Sequence, residues 1–510
     1  MDLVLSLDRT SRVPLYRQLV QGIRRAILEG RLKAGEKLPA SRTLAKSLNV
    51  SRFTVTQSYE QLIGEGYLET LGGSGTYISP QIPDRWLQSE LQESSDSYSF
   101  PLSNGQKTKS PILSQYGKSL ISIDSLQVSE PEGTISFRYG NPAIAHFPIQ
   151  QWRRLIGRYC HNSPDLLNYP ADSAGYFPLR EAIANYLGRS RAVRCTPERV
   201  IIVNGSQQAL NLIARLTLEP KDWIAVEDPG YLGARHCFTS QSVNLEAIPI
   251  DSEGLDVDFL ARCDRNFKLV YVTPSHQFPT GVTLSLKQRI ALLQWAQITE
   301  TLIVEDDYDS EYRYESQPIP ALQGMDRSQS VIYLGTFSKT MFPSLRIGYL
   351  VVPPSWISYI SKAKWLCDRS TSLLEQYALT DWINEGHFER HLRKMRQLYN
   401  LRRQVLIAAF AKHFGDEAPP ILRDRVTILG ANAGIHVMAR IATDIPDSII
   451  VQKAAAVGVG LVSARKYYLN PSHQGEFIFG YAQLEQVQIE QGVIKLAEIF
   501  KNEGLKINNL

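Results

Sequence analysis

Short apolar runs alternate with segments of helical periodicity through much of the chain beyond residue 133. The runs lie between residues 200 and 353 and are VIIVNG, WIAVEDPGY, KLVYVTPSHQ, TLIVEDDYDSEY, SVIYLGTFSK and RIGYLVVP. Strands that alternate with helices in this way predict a mostly parallel α/β sheet. Because ligand groups in such sheets lie at the carboxyl ends of the strands, the polar residues after each run are the first candidates for a site.

The first run ends in small and polar residues, NGSQQ at positions 204–208. A helix is expected to begin near Ala209. Small residues at a helix N-terminus expose backbone amides to an anion, so Gly205, Ser206 and Gln207 are candidates for holding a phosphate.

An acidic segment, EDDYD at positions 305–309, follows the run TLIV. So many carboxylates at the end of an apolar strand are costly unless a cation or a proton partner is present. Strand alternation places Asp306 and Tyr308 on one side and the carboxylates of residues 305 and 307 on the other. A divalent metal site is the alternative, but neither a histidine nor EF-hand spacing accompanies the segment, so no metal is expected.

Lys339 lies between small hydroxyl residues in GTFSKTMFPSLR, and Arg346 follows after a short turn. Taken alone, the segment is also typical of a surface loop. A lysine amine can condense with the aldehyde of pyridoxal 5′-phosphate (PLP), and an arginine fork pairs with its phosphate. Asp306 would then face the pyridine nitrogen and Tyr308 the phenolic oxygen, so the sequence predicts PLP as a cofactor.

Further candidates follow two other strands. Tyr231, in EDPGY, could lie flat on the cofactor ring, although an ordinary core tyrosine is an equal alternative. His276 and Gln277, in TPSHQFPTG, are additional strand-end candidates.

The first 79 residues have a different pattern. They contain 11 Lys and Arg against 7 Asp and Glu, a surplus equal to the whole net charge of +4. Helical periodicity predicts a helix that ends near Gly30, a second that Ser41 caps, and a third that Ser51 caps. The short turn between the last two predicts a helix-turn-helix, and YLETLGGSGTYIS predicts a β-hairpin wing.

This order and spacing resemble the winged helix-turn-helix of GntR-type bacterial regulators. The resemblance implies that double-stranded DNA is a partner and that the third helix faces a major groove. By position, the DNA contacts would be Arg42, Ser51, Arg52, Thr54 and Thr56, with Gly73 and Gly75 in the wing. Arginines in such modules often contact only phosphate, or face solvent.

Residues 80–132 lack periodicity and are rich in Ser, Pro, Gln and Asn. We expect a flexible linker, with one short helix near residues 84–91, between a DNA-binding domain at 1–79 and a larger domain at 133–510. A signal-transmitting role is the alternative for this linker.

From about residue 133 to the end, the motifs resemble a fold type I PLP-dependent aminotransferase, a mostly parallel large domain with a smaller α+β C-terminal subdomain. Behind a GntR-like head, this order resembles the MocR family of regulators. The resemblance implies Lys339 as the Schiff-base lysine and a homodimer with the cofactor near its interface. Around the phosphate it implies Arg346, Ser338, Ser206 and, from the neighbouring subunit, Tyr169.

Two positions depart from the aminotransferase pattern. Phe278 stands where these enzymes usually have Asn before Pro-Thr-Gly, and Ile478 stands where an arginine commonly holds the substrate carboxylate. Without that charge, binding of an ordinary α-amino acid is not expected to be strong. Arg465 is a weaker candidate for the same task.

The length of 510 residues exceeds what one core usually supports, which agrees with several domains. No apolar run reaches the roughly 18 residues of a membrane span, and MDLVLSLDRT lacks the pattern of a signal peptide. The five cysteines form no CxxC pair, which argues against a zinc site. A cytoplasmic protein without membrane contact is expected.

The sequence therefore favours a transcriptional regulator that senses PLP, or an amine that reacts with PLP, through an internal aldimine at Lys339. Vitamin B6 or amine metabolism is the expected target. The main alternative is an active aminotransferase with an appended DNA-binding module, and residual transaminase activity is compatible with both. A regulator with a purely structural cofactor is a third possibility.

Overall fold

The computed structural model describes residues 7–9, 11, 13–71, 75–82, 111–123, 130–160, 166, 168, 170, 172–314 and 319–507. Two compact units contain residues Met1–Pro111 and Ile112–Leu510. Gly73, Tyr169 and the helix expected near residues 84–91 lie outside the described residues. No helix in these ranges combines the length and the apolar composition that a bilayer crossing requires.

The N-terminal unit is a three-helix module with a two-stranded wing. Its elements are α1 (Leu15–Leu28), α2 (Ser41–Ser47), α3 (Arg52–Gly64), β1 (Leu68–Leu71) and β2 (Gly75–Ile78). The helix α1 buries Leu19, Val20, Ile23, Ala26 and Ile27 on one face, which is the face that the sequence periodicity predicts. The strands β1 and β2 pair antiparallel, from Leu68 opposite Ile78 to Leu71 opposite Gly75.

The second unit contains thirteen further helices and fourteen further strands among its described residues. The helices are α4 (Gln115–Ser119), α5 (Ile149–Cys160), α6 (Phe177–Arg191), α7 (Ser206–Thr217), α8 (Leu232–Thr239), α9 (Val257–Arg262), α10 (Leu286–Thr299), α11 (Leu322–Met325), α12 (Ile357–Asp368), α13 (Leu373–Asn384), α14 (His387–Phe414), α15 (Asp447–Ala456) and α16 (Gln486–Ile507). The strands are β3 (Ile135–Ser136), β4 (Val200–Val203), β5 (Trp223–Asp228), β6 (Asn244–Asp251), β7 (Gly254–Leu255), β8 (Phe267–Val272), β9 (Leu302–Asp307), β10 (Val331–Thr336), β11 (Gly348–Val351), β12 (Val426–Leu429), β13 (His436–Ile441), β14 (Val459–Gly460), β15 (Val462–Ser463) and β16 (Glu476–Gly480).

The main sheet has eight strands in the order β4-β11-β10-β9-β8-β5-β6-β7. Only β11 and β7 run antiparallel to their neighbours. All four residues of β4 are buried, as expected for strands that are covered on both faces. The mostly parallel sheet is thus confirmed, and β4, β5, β8, β9 and β10 end at the same edge.

A smaller α+β subdomain follows at the C-terminal end. Its antiparallel sheet has the order β12-β13-β16-β15, and β14 pairs with β3 in a separate two-stranded sheet. The helices α14 and α16 pack beside it through Phe414 and Phe500, whose ring centroids are 6.1 Å apart. This subdomain places β13 and β16 next to the carboxyl edge of the main sheet.

Candidate functional site

A cavity of about 190 Å³ lies at the carboxyl ends of the parallel strands. Its lining includes eight residues that the sequence predicts for a cofactor site: Lys339, Asp306, Tyr308, Tyr231, Ser206, Gln207, Ser338 and Arg346. These residues come from the ends of four strands, β4, β5, β9 and β10, and from the segment after β10. The fold therefore brings the predicted groups together.

The amine of Lys339 lies inside this cavity. Its Nζ donates a hydrogen bond to the carbonyl oxygen of Gly140 at 2.7 Å. Burial lowers the pKa of Lys339, and the carboxylates of Asp309 and Asp306 oppose this effect only in part. A lowered pKa keeps more of the amine unprotonated at neutral pH, which is the form that attacks a carbonyl group.

Asp306 offers a carboxylate oxygen that lacks a partner. Tyr271 Oη donates to its Oδ2 at 2.7 Å, whereas Oδ1 is buried without a hydrogen bond. Burial raises the pKa of Asp306 to about 7, against the hydrogen bond from Tyr271, which lowers it. A buried acceptor without a donor is costly, so a ligand that brings an N–H group to this oxygen would stabilise the site.

The carboxylates of residues 305 and 307 face the other way, as strand alternation predicts. Glu305 accepts the backbone amides of Leu322 and Gln323 at 2.8 and 2.9 Å. Asp307 accepts from Arg191 Nε at 2.8 Å and from Tyr333 Oη at 2.6 Å. Both carboxylates thus bind protein groups away from the cavity, although Asp307 Oδ1 is buried without a hydrogen bond, and Asp306 faces the cavity.

The last acid of the segment, Asp309, contacts His276, a strand-end candidate that the sequence did not pair with it. Its two carboxylate oxygens lie 3.0 and 3.1 Å from His276 Nδ1. His276, Asp309 and His436 could each offer one metal-ligand atom, all within 4.8 Å of one another. However, Asp309 also accepts from the amide of Ile435, and His436 Nε2 hydrogen-bonds the carbonyl oxygen of Pro279. His276 Nδ1 and His436 Nε2 are therefore engaged in hydrogen bonds within the protein, whereas His276 Nε2 is buried without a partner.

Tyr308 is held by the same group of residues. Its Oη donates to the carbonyl oxygen of His276 at 2.9 Å and lies 3.1 Å from His276 Nδ1. His276 therefore positions a cavity residue without lining the cavity itself. Gln277 does not line the cavity. It is buried, and its Nε2 donates to the carbonyl oxygen of Pro229 at 2.7 Å.

The phosphate candidates surround the start of α7. This helix begins at Ser206, so the expected start near Ala209 is wrong by three residues. The side chain of Gln208, in the first turn, accepts the amide of Asn204 at 2.7 Å, a bond that supports a helix starting before Ala209. Gly205 has a φ of +82°, and a Cβ added there would lie 2.7 Å from Arg346 Nη2. Glycine thus allows the guanidinium to lie directly against the helix N-terminus.

Arg346 itself is fixed by the backbone. It has a φ of +52°, and its Nη2 donates to the carbonyl oxygen of Asn204 at 2.9 Å. The guanidinium and the free amides at the start of α7 therefore face one region of the cavity, which suits a dianionic phosphate.

Phe278 lines the cavity, and an apolar wall of aromatic and aliphatic side chains packs around it. A buried cluster contains Leu232, Phe278, Met438, Ala464, Tyr467 and Ile478. The hydroxyl groups of Tyr139 and Tyr467 hydrogen-bond each other at 2.6 Å. Arg465 is exposed and does not line the cavity. Among the described residues that line the cavity, Arg346 is the single arginine. The expectation that Arg465 could replace the missing arginine is not supported.

In the N-terminal unit, the predicted DNA contacts lie mainly around the start of α3. Ser51 Oγ accepts the amide of Thr54 at 3.0 Å and caps the helix as predicted. Thr56 Oγ1 donates to the carbonyl oxygen of Arg52, and the side chains of Arg52 and Arg42 are exposed. The expectation that Ser41 caps α2 is wrong, because the carbonyl oxygen of Ala40 already accepts the amides of the first turn. The wing residue Gly75 has a φ of +127°.

The two units match two family models. Residues 15–78 match the model of bacterial regulatory proteins of the gntR family, and residues 134–473 match that of aminotransferase class I and II. The probable rhizopine catabolism regulatory protein MocR of Rhizobium meliloti is 38% identical over 98% of this chain and 96% of its own length. The HTH-type pyridoxine biosynthesis transcriptional regulator PdxR of Corynebacterium glutamicum is 29% identical over 95% and 96%.

This chain belongs to the MocR-type family of transcriptional regulators. The multiple substrate aminotransferase of Thermococcus profundus has the same fold as its second unit, with a TM-score of 0.69 and 29% identity over 77% of this chain and 98% of that one. Aminotransferases of class I and II are PLP-dependent, and gntR-type heads bind DNA. The unpartnered Asp306 Oδ1, the amine of Lys339 and the cradle of Gly205 and Arg346 fit such a cofactor.

The MocR-type cavity also contains residues that the sequence did not single out. They are Tyr139, Gly140, Tyr271, Thr273, Thr336, Pro343, Ile435 and His436. Tyr271 lies within an apolar strand, where it resembles a core residue, and Ile435 and His436 belong to the smaller subdomain. The sequence contains one indication of the contact between His276 and Asp309: the segment TPSHQFPTG and the acidic segment both follow strands of the same sheet.

Proposed function

We propose that this regulator binds PLP covalently at Lys339 and that the bound state changes its affinity for DNA. The observation that carries the proposal is the buried, unpartnered Oδ1 of Asp306 in the cavity that also contains Lys339 and Arg346. Asp306 would accept from the protonated pyridine nitrogen, and Tyr308 would face the phenolic oxygen. Ser206, Gln207, Ser338 and Arg346 would bind the phosphate, and Tyr231 would stack on the ring. When bound, PLP supplies an electrophilic carbon for amines.

The proposed effector is PLP itself, or an amine that lacks an α-carboxylate. The aromatic and aliphatic wall around Phe278 and Ile478 offers no positive charge to a carboxylate, and desolvating that charge beside such a wall is costly. The pyridoxine biosynthesis regulator among its relatives agrees with a role in vitamin B6 metabolism. The rhizopine catabolism regulator among its relatives agrees with a role in a catabolic process.

The quaternary and domain assignments remain part of this proposal. We infer domains at 1–79 and 133–510 with a linker at 80–132, and a cytoplasmic homodimer in which Tyr169 contacts the phosphate of the neighbouring subunit. Gly73 would contact DNA from the wing. Size-exclusion chromatography with light scattering tests the dimer, and a monomeric mass at micromolar concentration would contradict it.

Footprinting tests the regulatory function. The full-length protein is incubated with duplex DNA from upstream of its own gene, with and without PLP. We expect a protected segment whose extent or affinity changes with PLP. Absence of any protected segment under both conditions would refute the proposal, whereas protection that ignores PLP would indicate a structural cofactor.

The alternative function is an active aminotransferase with an appended DNA-binding module. Its supporting observation is that Lys339 and Asp306 share one cavity. Spectrophotometric assays with amino donors and keto acceptors distinguish the two functions. Multiple turnovers that disappear in Lys339→Ala would favour the enzyme, and the apolar wall leads us to expect none with ordinary α-amino acids.

Arg346→Ala is expected to weaken PLP binding by roughly 30-fold or more, because one partner of a charged pair is removed from a partly enclosed site. Titration of the unliganded protein with PLP measures this loss. Pyridoxal, which lacks the phosphate, serves as the comparison ligand and should bind both proteins alike. Arg215→Ala removes an exposed charge from the same helix as Ser206 and should change neither affinity. Equal losses for PLP and pyridoxal would exclude a phosphate contact.

Arg52→Ala is expected to weaken DNA binding and to reduce the slope of log affinity against log salt concentration by about 1, as the loss of one phosphate contact predicts. Fluorescence anisotropy with the footprinted duplex at several salt concentrations measures both quantities. Arg31→Ala is the control, since Arg31 is exposed in the same unit and pairs with Glu29 at 2.7 Å. An unchanged slope for Arg52→Ala would show that Arg52 contacts no phosphate.

A further inference from the structure

Phe53 is the most exposed large apolar side chain of the described N-terminal unit, with 75% of its surface accessible. It is the second residue of α3, directly after Arg52. A single exposed apolar side chain is common on protein surfaces, so the position of Phe53 on the helix decides what it can contact. No described residue of this unit covers it.

The helical positions show which way Phe53 points. The buried residues of α3 are Val55, Ser58, Tyr59 and Leu62. At 100° per residue these four lie on one side of the helix, and Phe53 lies close to the opposite direction. Phe53 is therefore at the centre of the outward face and at the N-terminal end of the helix, whereas Arg52 lies toward its edge.

The surroundings of Phe53 suit DNA better than another protein. Arg52 is exposed beside it, Thr56 follows one turn later, and residues 1–79 have a basic surplus of 11 Lys and Arg against 7 Asp and Glu. In a helix-turn-helix, the N-terminal residues of the second helix contact base edges in the major groove. The apolar group in that groove is the C5-methyl group of thymine, which phenylalanine can contact.

We propose that Phe53 is a specificity-determining residue that packs against a thymine methyl group in the operator. The proposal rests on DNA binding by the N-terminal unit and goes beyond it by assigning a base preference to one side chain. The neighbouring polar groups on α3 are partly engaged in the helix itself, since Ser51 and Thr54 hydrogen-bond each other at 2.8 Å. Phe53 is free of such bonds and adds an apolar contact that phosphate binding by Arg52 does not supply.

Uridine scanning tests this inference on the full-length protein. In the footprinted duplex, each thymine is replaced singly by deoxyuridine, which removes only the methyl group. For the wild-type protein we expect about a fourfold loss of affinity at one or two positions, the effect of burying a single carbon group. Phe53→Ala should bind the original duplex more weakly and lose all sensitivity at those positions, whereas Phe53→Leu should keep part of it.

The controls separate the possible outcomes. Val13→Ala alters another exposed apolar residue of the unit and should keep the wild-type uridine profile. Circular dichroism checks that Phe53→Ala remains folded, and light scattering reports its mass. Failure of the wild type to bind any duplex would refute DNA binding itself. Wild-type binding with an unchanged uridine profile in Phe53→Ala, or a change of oligomeric mass in that variant, would overturn the proposed role of Phe53.

Discussion

Lys339→Ala is expected to abolish covalent retention of PLP. Lys339 is the only lysine among the described residues that line the cavity, and burial lowers its pKa, which favours the unprotonated amine. Borohydride reduction of the wild-type protein with bound PLP should leave the cofactor attached to a single peptide, the one that contains Lys339. The variant should give no such adduct. Mass spectrometry of the digested protein measures both results.

The comparison with a second lysine makes this test specific. Lys362→Ala removes an exposed amine from α12 and should leave the adduct unchanged. Since a protonated amine does not attack a carbonyl group, adduct formation should also fall as the pH is lowered through the pKa of Lys339. An adduct that survives in Lys339→Ala, or that maps to another lysine, would contradict the assignment.

Loss of the covalent bond to PLP should also remove the effect of PLP on DNA binding. If PLP at Lys339 changes DNA affinity, footprints of Lys339→Ala should resemble those of the unliganded wild type at every PLP concentration. A variant that still responds to PLP would show that noncovalent binding is enough, which separates the chemistry of Lys339 from the regulatory effect.

Much of this site could be predicted because its residues follow strands. Strand ends in a parallel sheet meet at one edge, so Ser206, Asp306 and Lys339 could be assigned to one site from the chain alone. Alternation along β9 also separated Asp306 from its acidic neighbours. The winged helix-turn-helix was predictable for a similar reason, since local periodicity determines its three helices.

The remaining residues depend on contacts between distant segments. Gly140 reaches Lys339 across 199 positions of sequence, and His436 comes from the smaller subdomain. Neither residue lies in a sequence pattern that identifies a site. Periodicity predicts which side of a helix or strand is buried, but it does not predict which distant residue packs against that side. The same limit applies to Phe53, an apolar residue whose exposure only the packing of α3 reveals.

Asp306 is expected to destabilise the unliganded protein at high pH and to stabilise the protein with bound PLP. Burial raises its pKa from 3.8 to about 7. A folded-state pKa above the unfolded value means that the group contributes stability at pH values below about 4 and loses that contribution progressively between about pH 4 and pH 7, where the unfolded carboxyl group is ionised and the folded one is still protonated. At pH values well above 7 the ionised, unliganded carboxylate therefore costs about 4 kcal/mol. A ligand N–H group at Oδ1 would offset this cost.

Asp306→Asn separates the two effects. At pH 8 the unliganded variant should melt at a higher temperature than the wild type, and at pH 5 the difference should be clearly smaller, because the folded wild-type carboxyl group is then protonated although the unfolded one is still ionised. PLP binding should weaken by roughly 30-fold or more, because the variant cannot pair a charge with the pyridine nitrogen. Calorimetry without ligand at both pH values and titration with PLP measure the two changes.

A second carboxylate of the same strand is the matched control. The Asp307 side chain faces away from the cavity and pairs with buried Arg191. Asp307→Asn leaves Arg191 buried without its charged partner, so this variant should have a lower melting temperature at both pH values. Only a residue that faces the cofactor should lose PLP affinity and gain unliganded stability at the same time. If Asp306→Asn lowered the melting temperature at pH 8, or bound PLP as tightly as the wild type, Asp306 would be a structural residue and the ring nitrogen would require another partner.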